Sequence, residues 1–118
     1  NMSLKRIGAG NRMTDAIVHG GKVYLSGYVA EKTVGGSVAE QTADILAQID
    51  ETLAEAGTDK TKIIRATIWL TDMDTWAEMT TVWDKGVVPG EPPCRAAVHS
   101  PKMAAAGLDV EIMVEAAI

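Results

Sequence analysis

Four stretches of this chain alternate apolar and polar residues with a period of two, and only two keep the spacing of an amphipathic helix. Lys22 to Val29 places Val23, Leu25 and Val29 on one side and Tyr24, Ser26 and Tyr28 on the other. Ile64 to Thr71 sets Ile64, Ala66, Ile68 and Leu70 against Arg65, Thr67, Trp69 and Thr71. Cys94 to His99 sets Cys94, Ala96 and Val98 against Arg95, Ala97 and His99. Leu108 to Val114 sets Leu108, Val110, Ile112 and Val114 against Asp109, Glu111 and Met113. That is the pattern of half-buried strands. A further strand is expected over Ala16 to His19, with Gly20-Gly21-Lys22 turning into the next. Two helices suffice to cover one face of such a sheet, which gives an α+β layer.

The first helix carries both of its boundaries. Ser37 followed by Glu40 is a capping box: the hydroxyl accepts from a free backbone N–H and the carboxylate reaches back to the cap. Val38, Thr42, Leu46, Ile49 and Leu53 then follow one buried stripe, and Gly57 offers the left-handed position that ends helices. A second helix is expected to start at Thr75 with Glu78 as capping partner. Trp76, Met79 and Trp83 form its stripe and read as core, and Gly86 closes it.

With 118 residues the chain is one domain, 1–118, able to bury a modest core. Its net charge of −5 and scattered basic residues argue against a nucleic-acid partner, which requires a basic stripe. Cys94 has no second cysteine to pair with, as in a reducing compartment. No apolar run is long enough for a membrane span, and Asn1-Met2-Ser3-Leu4 lacks the apolar core of a signal peptide. The expected location is cytoplasmic, with no membrane partner.

The sheet face turned away from the helices is expected to carry Tyr24, Tyr28, Trp69 and Met113 beside Ser26, Thr67, Arg95 and Glu111. A face so aromatic is unsuited to open water, which points to packing against other copies of the chain in a closed ring. On that face Arg95 needs an anion, because an unpaired buried charge is costly, and its planar fork suits a carboxylate. Either Glu111 or a ligand can supply it. Glu111 has two readings as well: a structural partner of Arg95, or a base that polarises a water and returns the proton to a leaving amine. With the two on adjacent strands, such a site would hold a small organic acid and aim a water at the neighbouring carbon.

The other chemical groups offer less. His19 and His99 are isolated, and Cys94, on the expected apolar face, reads as a small buried hydrophobe. No zinc pattern is present. Gly8-Ala9-Gly10 is too short for a phosphate loop, and Asp72-Met73-Asp74 lacks the later ligands of a calcium loop and reads as a turn.

Several segments together resemble the Rid family of reactive-intermediate deaminases, also called the YjgF family. They are Val23-Tyr24-Leu25-Ser26-Gly27, Glu40-Gln41-Thr42, Leu53-Ala54-Glu55-Ala56-Gly57 and Ile68-Trp69-Leu70-Thr71-Asp72-Met73. The most specific are Pro93-Cys94-Arg95-Ala96-Ala97-Val98 and Val110-Glu111-Ile112. The likeness runs from Arg12 to Ile118 and is to a divergent, stand-alone bacterial branch. It implies a chorismate-mutase-like α+β fold: a mixed sheet with two helices on one face, trimeric, with clefts between subunits. It also implies hydrolysis of imines and enamines of 2-oxo acids, such as 2-aminoacrylate and 2-iminopropanoate, to the 2-oxo acid and ammonia without a cofactor or metal. By this likeness Arg95 binds the substrate carboxylate and Glu111 positions the water. Ser26 and Gly27 line the cleft, and Ala97 offers backbone groups. Met13, Tyr28 and Thr80 depart from the family pattern and bear on cleft shape and substrate choice. The competing reading is a non-catalytic trimer that binds a small carboxylate or 2-oxo acid in a regulatory role. A ribonuclease, claimed for some relatives, is opposed by the acidic balance.

Overall fold

The computed structural model describes residues 3–118, so Asn1 and Met2 lie outside the described residues. A single sheet is built from β1 (Lys5–Ala9), β2 (Thr14–His19), β3 (Lys22–Leu25), β4 (Tyr28–Val29), β5 (Ile63–Leu70), β6 (Cys94–His99) and β7 (Val110–Ala117). The strand order is β1-β2-β3-β7-β5-β6, with β4 also pairing β7. β5 and β6 are parallel and the other pairs antiparallel, so the sheet is mixed. The helices α1 (Val38–Glu55) and α2 (Trp76–Asp84) cover one face. Between them and the sheet lie Val23, Leu25, Ile45, Ile49, Leu53, Ala66, Ile68, Leu70, Met79, Val110, Ile112 and Val114, all buried. No helix among the described residues is long and apolar enough to cross a membrane.

The α1 boundaries follow from local chemistry. Ser37 Oγ accepts from the Glu40 N–H at 3.1 Å and Glu40 Oε1 from the Ser37 N–H at 2.9 Å, completing the capping box. At the other end Gly57 has φ +84°, a backbone region that costs other residues a steric clash. Inside the helix Gln41 is fully buried and fully used. Its Nε2 donates to the carbonyls of Gly36 and Gly107, and its Oε1 accepts from the Asp109 N–H, tying α1 to the loop that feeds β7.

The α2 boundaries differ from expectation. Thr75 makes no side-chain cap; its hydroxyl donates back to the Asp72 carbonyl within a short 3₁₀ turn over Met73–Thr75. Glu78 caps the other helix instead, accepting from the Ala39 N–H at 2.8 Å and joining the two helices. The Asp72-Met73-Asp74 segment is the turn expected of it, with Asp72 Oδ1 accepting from the Asp74 N–H.

Three strand assignments are corrected, and one strand is new. β1 was not expected, because its five residues, mostly exposed, carry no periodic apolar signal. Ile64 leaves the core face: a register shift between Ile63 and Arg65 packs Ile63 on the core and exposes Ile64. Tyr28 and Val29 exchange faces. Four steps from Tyr24 to Tyr28 are matched by three along β7 from Glu115 to Ile112, so Ser26-Gly27 hold an extra residue. Tyr28 thereby turns to the helices, where its hydroxyl meets Thr52 Oγ1 at 2.7 Å.

The last correction concerns β6. Its register puts Arg95 beside Ala66 and Ala97 beside Ile68, both fully buried under the helices. Arg95 and Ala97 therefore face the helices, while Cys94, Ala96 and Val98 lie on the open face. Cys94 is exposed rather than buried. Alternation alone did not set this strand's direction, since small apolar residues occupy both sides of it.

Candidate functional site

Arg95 projects from the edge strand β6 beneath α2. Trp76, Thr80 and Trp83 recur at helical spacing and form the side of α2 that meets it. The guanidinium carbon lies 5.4 Å from the centroid of the Trp76 ring and 5.7 Å from that of Trp83, within cation–π range. Arg95 Nη1 donates to Thr80 Oγ1 at 3.4 Å, a long bond. An indole N–H is a donor only, so neither ring accepts a hydrogen bond at a ring atom from the fork's other donors. Among the described residues the ion pairs are Lys22 with Glu115 and Arg65 with Glu115. Arg95 is in neither and has no carboxylate within salt-bridge distance. The fork is braced by rings and retains donors for a planar anion.

Glu111 belongs to a second constellation. It pairs with Trp69 on β5 and Val29 on β4, and its side chain lies on the open face. A Cβ on Gly27 would overlap Glu111 Oε2 and come within 3.0 Å of its carboxyl carbon, so the absence of a side chain there lets the carboxylate approach the backbone. Ser26 is held at the same bulge: its N–H donates to the Asp15 carbonyl at 2.9 Å and its hydroxyl to the Thr14 carbonyl at 2.6 Å. Met13, 55% exposed, shares with Gly27 a groove of about 470 Å³ that runs to Tyr28 and Thr52. On its other side Glu111 borders a hollow of about 210 Å³ with Trp69, Lys102 and Met103. Asp109, two residues before Glu111, accepts from Thr71 through both its backbone and its side chain, which anchors the start of β7.

The site residues expected from the sequence thus fall into two groups. Arg95, Thr80 and Ala97 gather under α2 on the helix side. Met13, Ser26, Gly27 and Glu111 gather around the β3–β4 bulge. Arg95 and Glu111 are not on adjacent strands, because β5 lies between β6 and β7, and they face opposite sides of the sheet. Glu111 is therefore not the salt-bridge partner of Arg95 within one chain. Two side chains that contact Arg95, Trp76 and Trp83, were read as core by residue type. Trp83 is 6% exposed and fits that reading, but Trp76 is 41% exposed. The spacing of Trp76, Thr80 and Trp83 was the available signal. No cluster of three or more His, Cys, Asp or Glu suited to a metal occurs among the described residues.

The open face bears a further apolar patch. Tyr24, Val98 and Met113 are each about two-fifths exposed there, beside Trp69 and Ala96.

Comparison with known proteins places this geometry. The family model described as Endoribonuclease L-PSP matches residues 3–118, extending the likeness across β1. A RutC family protein from Haemophilus influenzae is 36% identical over 113 residues, covering 96% of this chain and 97% of the relative. The RutC family protein YoaB from Escherichia coli is 37% identical over 99 residues, covering 84% of this chain and 85% of its own. The crystal structure of a YjgF family member from Neisseria meningitidis superposes with a TM-score of 0.93 at 42% identity, covering 98% of this chain and 95% of that one.

Proposed function

Because the chain belongs to the Endoribonuclease L-PSP family, the YjgF/Rid proteins, we propose that it hydrolyses imines and enamines of 2-oxo acids to the 2-oxo acid and ammonia. The observation that carries this reading is Arg95: a guanidinium braced by two rings, with no carboxylate partner among the described residues. A small organic acid would complete it, with its carboxylate on the fork.

Chemistry then requires the Glu111 group, which in this reading comes from a second copy. One protomer presents Arg95, Thr80 and Ala97 from its sheet edge, and its neighbour presents Met13, Ser26, Gly27 and Glu111 from the β3–β4 bulge. The apolar open face around Trp69 and Met113 supplies the area for that association, and a homotrimer is the closed form we propose. Glu111 takes a proton from water as its oxygen adds to C2 of the iminium. The proton passes to the nitrogen of the resulting carbinolamine, the C–N bond breaks as the C2 hydroxyl becomes the carbonyl, and the hydroxyl proton leaves with the nitrogen as ammonium. Imine hydrolysis proceeds unaided in water, so orientation of the iminium carbon and one water is the main demand on the site. No step calls for a metal or cofactor. A reducing, cytoplasmic setting suits the exposed thiol of Cys94.

The separation of Arg95 from Glu111 also favours a second reading, in which the fork only binds a 2-oxo acid and no water is activated. An assay distinguishes them. An amino-acid oxidase generates imino acids in turn, and ammonia release is followed with and without the protein. Acceleration above the spontaneous rate supports hydrolysis. Saturable binding of 2-oxobutanoate without acceleration of any imine selects the binding protein.

A further inference from the structure

We propose that Trp76 is a specificity residue of the Arg95 site, selecting 2-imino acids with branched-aliphatic or aromatic side chains over those with a single methyl. The proposal rests on the functional reading above and names the substrate class that this chain's own residues favour.

The two tryptophans that contact Arg95 are not equivalent. Trp83 is sealed in the core at 6% exposure and can only brace the guanidinium. Trp76 lies as near the charge, at 5.4 Å, yet stays 41% exposed at the start of α2. An indole gains most by burying its broad apolar surface, so one left open beside an unpaired cation is matched to a partner that covers ring and charge together. A carboxylate on the fork brings the rest of its own molecule within a few ångströms of that ring. The side chain on C2 then has apolar surface to cover at Trp76, and a methyl covers little of it. Ala97 follows Arg95 on the same side of β6, where its lone methyl packs against the core and adds no polar group. Thr80 supplies only the long bond to Nη1, so the polar demands around the fork stay small.

The reaction is unchanged by this choice. Water adds oxygen to C2, the C–N bond breaks, and a 2-oxo acid and ammonia leave with the side chain intact. A class of reaction that oxidises or eliminates from the larger apolar amino acids would supply such imines.

D-amino-acid oxidase acting on D-alanine, D-leucine and D-phenylalanine gives three imino acids without a stereocentre at C2. The wild-type protein is expected to hydrolyse the leucine- and phenylalanine-derived imines with the higher kcat/KM. Trp76→Ala should lower kcat/KM for those two about tenfold, as loss of an apolar contact does, mainly through KM. The alanine-derived imine should fall by a smaller factor, about threefold, because Trp76 also braces the guanidinium. Trp76→Phe should recover most of the loss, which a merely structural role would not require. Equal loss on all three imines, or no loss on any, overturns the proposal. Should the wild type hydrolyse nothing, the enzyme reading fails by itself. Trp76 is then judged by calorimetric Kd values for pyruvate, 4-methyl-2-oxopentanoate and phenylpyruvate. A preference for the larger acids that Trp76→Ala erases upholds it, and equal Kd values in the wild type sink it.

Discussion

Arg95 is held by side chains, two indole rings and a threonine hydroxyl on one helix, whereas the Glu111 carboxylate lies against the backbone of Gly27, at a bulge where β3 gives way to β4. The first region lies at the sheet edge on the helix side, and the second lies on the open face two strands inward. Each lacks what the other has: among the described residues the fork has no anion and the carboxylate no cation. In the proposed reading a second copy of the chain brings the two together by setting edge against bulge.

Removing the charge tests the first region most severely. Arg95→Ala is expected to reduce imine hydrolysis by at least about 100-fold, since a charged pair to the substrate carboxylate is lost outright. Binding of 2-oxobutanoate should disappear with it. Arg95→Lys keeps the charge but loses the planar fork, and should recover little. Undiminished ammonia release in the alanine variant would end the assignment of Arg95.

Glu111→Gln tests the second region. The amide is isosteric with the carboxylate and cannot take a proton, so kcat should fall about 100-fold, a usual worth of a general base. The Kd for 2-oxobutanoate should stay within about twofold, because the fork is untouched. A loss confined to Kd would mean that Glu111 helps bind the acid and does not act on water.

Mixing the two inactive variants separates one chain from two. If each site takes Arg95 from one protomer and Glu111 from its neighbour, exchange in an equal mixture of Arg95→Ala and Glu111→Gln leaves about one site in four intact. Activity should return to about that fraction of the wild type. Sites formed within single chains would recover nothing. The same samples should sediment as trimers.

How far these regions were legible in the sequence depends on how local their determinants are. The first helix was readable because Ser37, Glu40 and Gly57 act on their own backbone within a few residues. The core faces of β5 and β7 were readable because Ala66, Ile68 and Leu70 oppose Val114, Ile112 and Val110 in one buried layer. Arg95 and Glu111 were expected on adjacent strands, and the sheet order separates them by β5. The direction of β6 is set by its parallel register with β5 and by α2 above it, and neither shows in a run of small residues. The bulge that turns Tyr28 inward is one extra residue, visible only against the register of β7. Trp76 escaped notice because its chemistry lies in its exposure, which residue type does not disclose.

The smallest effect concerns how the Glu111 region is fastened, through an acid on α1. Asp44 on α1 accepts at Oδ2 from the N–H groups of Glu31, Lys32 and Thr33 and from the Thr33 hydroxyl, and at Oδ1 from Gln48 Nε2. Gln48 also donates to the Val29 carbonyl on β4, the strand paired with Glu111. Burial pushes the Asp44 carboxyl up, but the Gln48, Thr33, Lys32 and Glu31 bonds outweigh it and hold the group at about 2. A carboxylate depressed in the folded state adds stability above its ordinary value of 3.8, and that stability is lost as pH falls toward about 2. Asp44→Ala should therefore lower the melting temperature at pH 7 by about 4 °C, an effect of roughly 1 kcal/mol once solvent screening is allowed for. The difference from the wild type should narrow steadily between pH 4 and pH 2. A gap that stays constant across that range would show that Asp44 fastens the loop by packing and that its charge contributes nothing.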